Sequence, residues 1–185
     1  MRVDVKKCKI DFLSCGTQKW LLGMQGLAFI YVDEVFQKKI IPANVGWLSV
    51  ENAWNLLDYK LDLKTSANVF QGGTLNTFGI YAFNSSLTLF KDFGFDNVES
   101  EVLSNTKYFI TKLKSIGLDC VLSNCNEEEL AGIVTIKVKD PEKIFDELEK
   151  KKIFGSLREG FIRFAPHFYN THHEIDKVVE ELQKI

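Results

Sequence analysis

DFLSCGTQKWLLGMQGLAFIYV, residues 11–32, holds two strand-like runs around a short loop. Residues 9–14 (KIDFLS) predict one short strand. Residues 27–32 (LAFIYV) predict a second, apolar, aromatic and β-branched, bounded by Gly26 and by Asp33-Glu34. Gly16-Thr17 and Gly23-Met24-Gln25-Gly26 supply hairpin-like punctuation between them. Lys19 therefore falls just beyond a strand end, on a loop with sheet on both sides, where a scaffold can fix a reactive group and leave room for a ligand. Most lysines only solubilise a surface. This one is followed by Trp20-Leu21-Leu22, and an amine in apolar surroundings has a depressed pKa that makes it a nucleophile toward an aldehyde. The neighbouring glycines would let backbone N–H groups approach a phosphate.

Outward from this segment, residues 37–75 lack clean periodicity and are interrupted by Pro42, Gly46 and Gly72-Gly73, with Trp47 and Trp54 as apolar anchors. An irregular stretch this long is usually functional. Residues 76–93 then read as a helix with Ile80, Phe83, Leu87 and Phe90 on one face and Gly94 as its C-cap. A second helix fits 98–116, with Val98, Val102, Phe109, Leu113 and Ile116 in register and Gly117 as the stop. Residues 133–138 alternate as a strand. Asp140-Pro141-Glu142 opens a helix, with Asp140 as candidate N-cap and Ile144, Phe145 and Leu148 as its buried face. Residues 161–165 read as another strand. Thr171-His172-His173-Glu174 is a capping box that starts a last helix with a stripe of Ile175, Val178, Val179, Leu182 and Ile185. From residue 76 on, this predicts an α+β module, an antiparallel sheet covered on one face by helices.

The chain has 185 residues, 45% of them apolar with fifteen Phe, and a net charge of -2. It can bury a substantial core, and the charge gives no reason to expect nucleic acid or an anionic membrane as partner. No apolar run is long enough to span a bilayer, and the first twelve residues do not read as a secretory signal, so a cytoplasmic location is the expectation. Cys8, Cys15, Cys120 and Cys125 form no CxxC pair, and His167, His172 and His173 lack zinc-ligand spacing; free thiols and no metal are expected.

Three segments together resemble the class V aminotransferase and cysteine desulfurase family of fold-type-I, pyridoxal-phosphate (PLP) enzymes. Residues 11–32 are similar to its lysine segment. Gly46-Trp47 through Gln71-Gly72-Gly73-Thr74-Leu75-Asn76 is similar to its Gly-Trp and Gly-Thr elements. Arg158 through Thr171, with Arg163-Phe164-Ala165-Pro166-His167-Phe168-Tyr169-Asn170-Thr171, is similar to its terminal Arg-x-Ser-Pro-His-x-Tyr-Asn-Thr. The resemblance implies an α/β protein in which residues 1–75 are the end of the PLP-binding large domain and its sheet, and 76–185 the C-terminal small α+β domain. It implies Lys19 as the Schiff-base lysine; Thr17, Gln18, Gly73 and Thr74 as cofactor-binding residues, with Gly73-Thr74 reaching the phosphate of a neighbouring subunit; and Arg163 as the grip on the carboxylate of a small amino-acid substrate. Thr74 also fits a helix N-cap.

Gln18 stands where the family usually has His, Met24 where it has Pro, and residues 68–71 (NVFQ) lack its arginine and Glu. Phe154-Gly155-Ser156-Leu157-Arg158 lacks the cysteine that desulfurases carry there, so desulfurase chemistry is not expected. The match is to the C-terminal half of the family. The expectation is a chain not active alone, with a homodimer or a complementing N-terminal chain as its partner and PLP binding by this half left open. The alternative is a non-catalytic relic serving as an oligomerisation module.

Overall fold

The protein is described here by a computed structural model covering residues 2–58 and 60–184. It divides into two compact units, Val3–Asp92 and a second running from Phe93 with Arg2.

In the first unit β1 (Phe12–Gly16) and β2 (Ala28–Val32) pair antiparallel, from Phe12 opposite Val32 to Gly16 opposite Ala28. Leu13 and Cys15 thus share a face with Tyr31 and Phe29. Helix α1 (Glu34–Gln37) follows, capped by the Asp33 carboxylate, which accepts from Val35 N at 2.9 Å. The irregular stretch beyond it contains two 3-10 turns, Trp47–Ser49 and Ala67–Phe70, tied together at glycine. A Cβ on Gly46 would stand 1.7 Å from the Gly72 carbonyl oxygen, so the two backbones cross only because that side chain is missing. Ser49, fully buried, accepts from Gly46 N at 3.0 Å and lies 3.3 Å from the Gln71 carbonyl.

Helix α2 (Thr77–Phe93) starts at Asn76, whose side-chain oxygen accepts from Gly79 N at 2.9 Å. The N-cap is therefore Asn76 and not Thr74, which lies outside the helix and is exposed. The α2 helix packs on the hairpin: Ser86 Oγ donates to the Leu22 carbonyl at 2.8 Å, and the Phe83 and Phe29 rings stack with centroids 6.2 Å apart. These contacts place α2 in the first compact unit, which runs to Asp92.

In the second unit α3 (Phe95–Ser115) begins three residues earlier than read, because Gly94 at φ 93° serves as its N-cap. Its end is a Schellman motif, with Gly117 N donating to Lys114 O and Leu118 N to Leu113 O around a left-handed Gly117. The sheet has the order β3 (Val134–Ile136), β5 (Phe161–Phe164), β4 (Ser156–Arg158), all antiparallel. Strand β4, which no sequence pattern announces, pairs with β5 across Glu159 (φ 48°) and Gly160 (φ 79°). Two consecutive left-handed residues make the tight turn whose twist matches a hairpin. Asp140 is the N-cap of α4 (Pro141–Lys150) by position only: it sits left-handed at φ 53° and its carboxylate makes no capping bond.

Helix α5 (His172–Lys184) opens with the expected capping box. Thr171 N donates to Glu174 Oε2 at 2.7 Å, and Glu174 N to Thr171 Oγ1 at 3.3 Å. Helices α3, α4 and α5 cover one face of the sheet around Leu113, Ile136 and Ile162, all fully buried, with Phe109, Leu148, Ile175 and Leu182. Ile185, the last residue of the expected stripe, lies outside the described residues.

The Glu174 carboxyl is held below the usual carboxylate range, chiefly by the Thr171 N–H. A depressed carboxyl stabilises the folded state above its unfolded pKa of about 4.3 and loses that effect as pH falls through the lower folded value. Glu174→Gln should accordingly flatten the acid-side dependence of unfolding in a pH series followed by circular dichroism. An unchanged acid limb would show that the box does not contribute.

Candidate cofactor site and family

Lys19 lies on the loop between β1 and β2, and the loop is closed at its base by Thr17. That residue is fully buried, with Thr17 N donating to Leu27 O at 3.1 Å and Gly23 N donating to Thr17 O at 2.8 Å. The Thr17 hydroxyl lies 3.0 Å from the Leu27 carbonyl and 3.1 Å from that of Met24. Its one proton is spent on the loop itself, which removes it as a donor to phosphate. Lys19 is exposed, against the expectation of an apolar setting, because Trp20, Leu21 and Leu22 are only half-buried beside it. Among the described residues its amine makes no hydrogen bond or ion pair. Gln18 is exposed as well and folds back over Gly16, its Oε1 2.7 Å from where a Gly16 Cβ would stand.

Gly73 and Thr74 form the other half of the expected cofactor surface. They leave the Gly46–Gly72 crossing on the way to α2, with the Trp47 indole beside Gly73. A hollow of about 450 Å³ within this unit is lined by Thr17, the first half of β2, Phe70, Gln71, Leu75, Asn76 and Phe83 among others. The structure thus joins the base of the lysine loop to the residues just after Thr74, while the side chains of Lys19, Gln18 and Thr74 stay on the surface.

Arg163 belongs to the second unit, at the middle of β5. It is half-buried on the face opposite Ile162 and Phe164, between the cross-strand neighbours Thr135 and Ser156. Both are small and uncharged, and among the described residues no carboxylate pairs with its guanidinium. A half-buried arginine without a counter-charge is suited to an anionic ligand.

The family profile Aminotransferase class-V matches residues 1–178. The chain belongs to the class-V aminotransferase family. It is 29% identical over 180 residues to an uncharacterized aminotransferase of Bacillus subtilis, covering 97% of this chain and 47% of that protein. It is 34% identical over 203 residues to a protein named "Probable cysteine desulfurase" of Ureaplasma parvum, covering 98% of this chain and 47% of that protein. A cysteine desulfurase of Thermococcus onnurineus has the same fold, with TM-score 0.88 at 21% identity over 100% of this chain and 49% of that one. So does a C-DES mutant with glycine covalently linked to the PLP cofactor, with TM-score 0.89 at 18% identity over 99% of this chain and 48% of that one. The chain spans about half the length of the curated relatives it matches. The class-V aminotransferases and cysteine desulfurases to which it is related are PLP-dependent.

Two features of this class-V chain were not foreseen from sequence. Asn105, buried at 2% exposure in mid-α3, donates to the His167 carbonyl at 3.0 Å and to that of Asn170 at 2.9 Å. The Asn170 side chain in turn accepts from His167 N at 2.8 Å, so the Pro166–Thr171 motif is knotted onto α3. The available signal was a gap: the apolar stripe of α3 runs Val98, Val102, Phe109, Leu113, and Asn105 fills the missing place. Leu22 is the other, a β1–β2 loop residue at φ 54°.

Proposed function

We propose that this chain carries the reactive lysine and part of the phosphate-binding surface of a PLP site. The reaction is a transamination, or a related lyase or epimerase reaction, on a small amino acid. The observation that carries this reading is Lys19, an amine unpaired among the described residues, on a pinned loop within the matched segment. When bound, PLP supplies an electron sink for bond breaking at the amino acid's Cα. The donors present fit its aldehyde and phosphate: the Lys19 amine, the exposed Thr74 hydroxyl, the Gly73 backbone and the Gln18 amide. Lys19 holds the cofactor and then moves a proton at the substrate Cα, while Arg163 binds the substrate carboxylate as a bidentate fork. Because residues 154–158 contain no cysteine, and burial pushes the Cys120 thiol up to about 11, persulfide chemistry is not part of this reading.

The rest of the cofactor's surroundings comes from polypeptide beyond these residues, and the surface supports this. Leu57 is 90% exposed and Phe78 84%, with Trp54, Leu61 and Tyr81 also outward. Two independent folded units of half this chain's mass would together expose about 10,900 Å²; the chain exposes 13,000 Å². The difference exceeds the roughly 800 Å² per partner of a standard interface. The two-stranded β1–β2 sheet, marginal by itself, offers edges for further strands.

Mixing this chain with the remaining half of a class-V relative should give a one-to-one complex by gel filtration. In that complex Arg163→Lys should weaken amino-acid binding about tenfold by loss of the bidentate fork. Failure to bind any such half would contradict the reading. A complex insensitive to Arg163→Lys and without turnover would favour the second reading, an assembly module, which the same exposed surface supports.

A further inference from the structure

We propose that Thr17, Gly23, Leu22 and Ser86 form a latch that sets the position of the Lys19 amine; this rests on Lys19 being the reactive lysine. The loop is short of regular hydrogen bonds, and the latch replaces them. Thr17 closes its base through backbone and hydroxyl, from inside the fold, with no exposed surface. Gly23 is required for that closure, since a Cβ there would stand 2.6 Å from both Thr17 Cβ and Oγ1. Between them Leu22 sits at φ 54°, with its N–H returned to the Lys19 carbonyl at 3.0 Å. A left-handed leucine is strained and persists only where its surroundings over-determine it. Ser86 of α2 provides the outside constraint by donating to the Leu22 carbonyl at 2.8 Å. The single Lys19–Leu22 turn is thus pinned at both ends, by Thr17–Gly23 to the hairpin and by Ser86 to the helix. Thr17 and Ser86 are positioning residues, acting through the backbone on either side of Lys19.

The test compares wild type with Thr17→Val, Thr17→Ser and Ser86→Ala by two readouts: amide hydrogen exchange over residues 17–24, and the share of borohydride-trapped pyridoxyl label found on Lys19 after incubation with PLP. Loss of one buried hydrogen bond should speed local exchange in Thr17→Val about tenfold and scatter the label. Thr17→Ser, which keeps the hydroxyl, should restore both. Ser86→Ala should raise exchange in the loop while leaving the second unit unchanged, and it carries the test if Thr17→Val fails to fold. Unchanged exchange in the loop of both variants would overturn the latch. Faster exchange with an undiminished Lys19 share would overturn the positioning role and leave a merely structural tie. A wild type with faster exchange in its variants but no Lys19 label would refute the reactive-lysine reading and the positioning role with it, while the latch geometry itself stood.

Discussion

Replacing Gly46 with alanine is expected to destabilise the first unit by about 3 kcal/mol or more, at or above the upper end for overpacking a rigid site. The new Cβ would lie 1.7 Å from the Gly72 oxygen, 2.6 Å from its carbonyl carbon and 2.9 Å from its Cα. All three are backbone atoms, which cannot rotate aside as a side chain would. The two segments must separate, which also breaks the Ser49 bridge between Gly46 and Gln71 and releases the Gly73-Thr74 segment that follows the crossing. The measurement is the urea midpoint at constant slope. Gly72→Ala is the control, since a Cβ there meets nothing within 4 Å and should change stability by no more than about 0.5 kcal/mol. Equal effects from the two variants would show that the crossing does not organise this segment.

Asn105→Ala is expected to cost about 2–4 kcal/mol in the second unit, since it leaves the His167 and Asn170 carbonyls without their buried donor. Asn105→Asp should be at least as damaging. It keeps the shape but presents acceptors to acceptors, so the defect would be one of donors and not of volume. Thermal unfolding resolves this: the aspartate variant should melt no higher than the alanine variant. A near-native melting temperature for either would mean that the Pro166–Thr171 motif is held by other contacts, such as the tilted Phe93–Phe168 ring pair with centroids 4.8 Å apart, and not by Asn105.

Legibility in the sequence followed the range of the forces involved. The β1–β2 hairpin and α5 were readable because each is specified locally, by a β-branched and aromatic run with turn residues in one case and by a capping box with a periodic stripe in the other. Strand β4 was missed because three residues carry little periodic signal, and its clue lay in the Glu159-Gly160 turn instead. Thr74 fits a helix N-cap by residue type, and so does Asn76. Gly79 decided for Asn76: a Cβ there would stand 2.6 Å from Asn76 Nδ2, so only glycine lets that side chain fold over the helix start.

Of the proposed site, the resemblance supplied Lys19, Thr74 and Arg163 as candidates, and their surroundings were not legible in the sequence. The structural duty of the Thr17 hydroxyl depends on carbonyls seven and ten residues away, a contact that no local pattern announces.

The central claim is that Lys19 is the amine of a PLP site. It is tested most directly by incubating the purified chain with PLP, reducing with borohydride and mapping the labelled lysines by mass spectrometry, with Lys19→Ala in parallel. The account predicts one label per chain, placed on Lys19 and lost in the variant. Label spread over the exposed lysines, with the same total in Lys19→Ala, would contradict it.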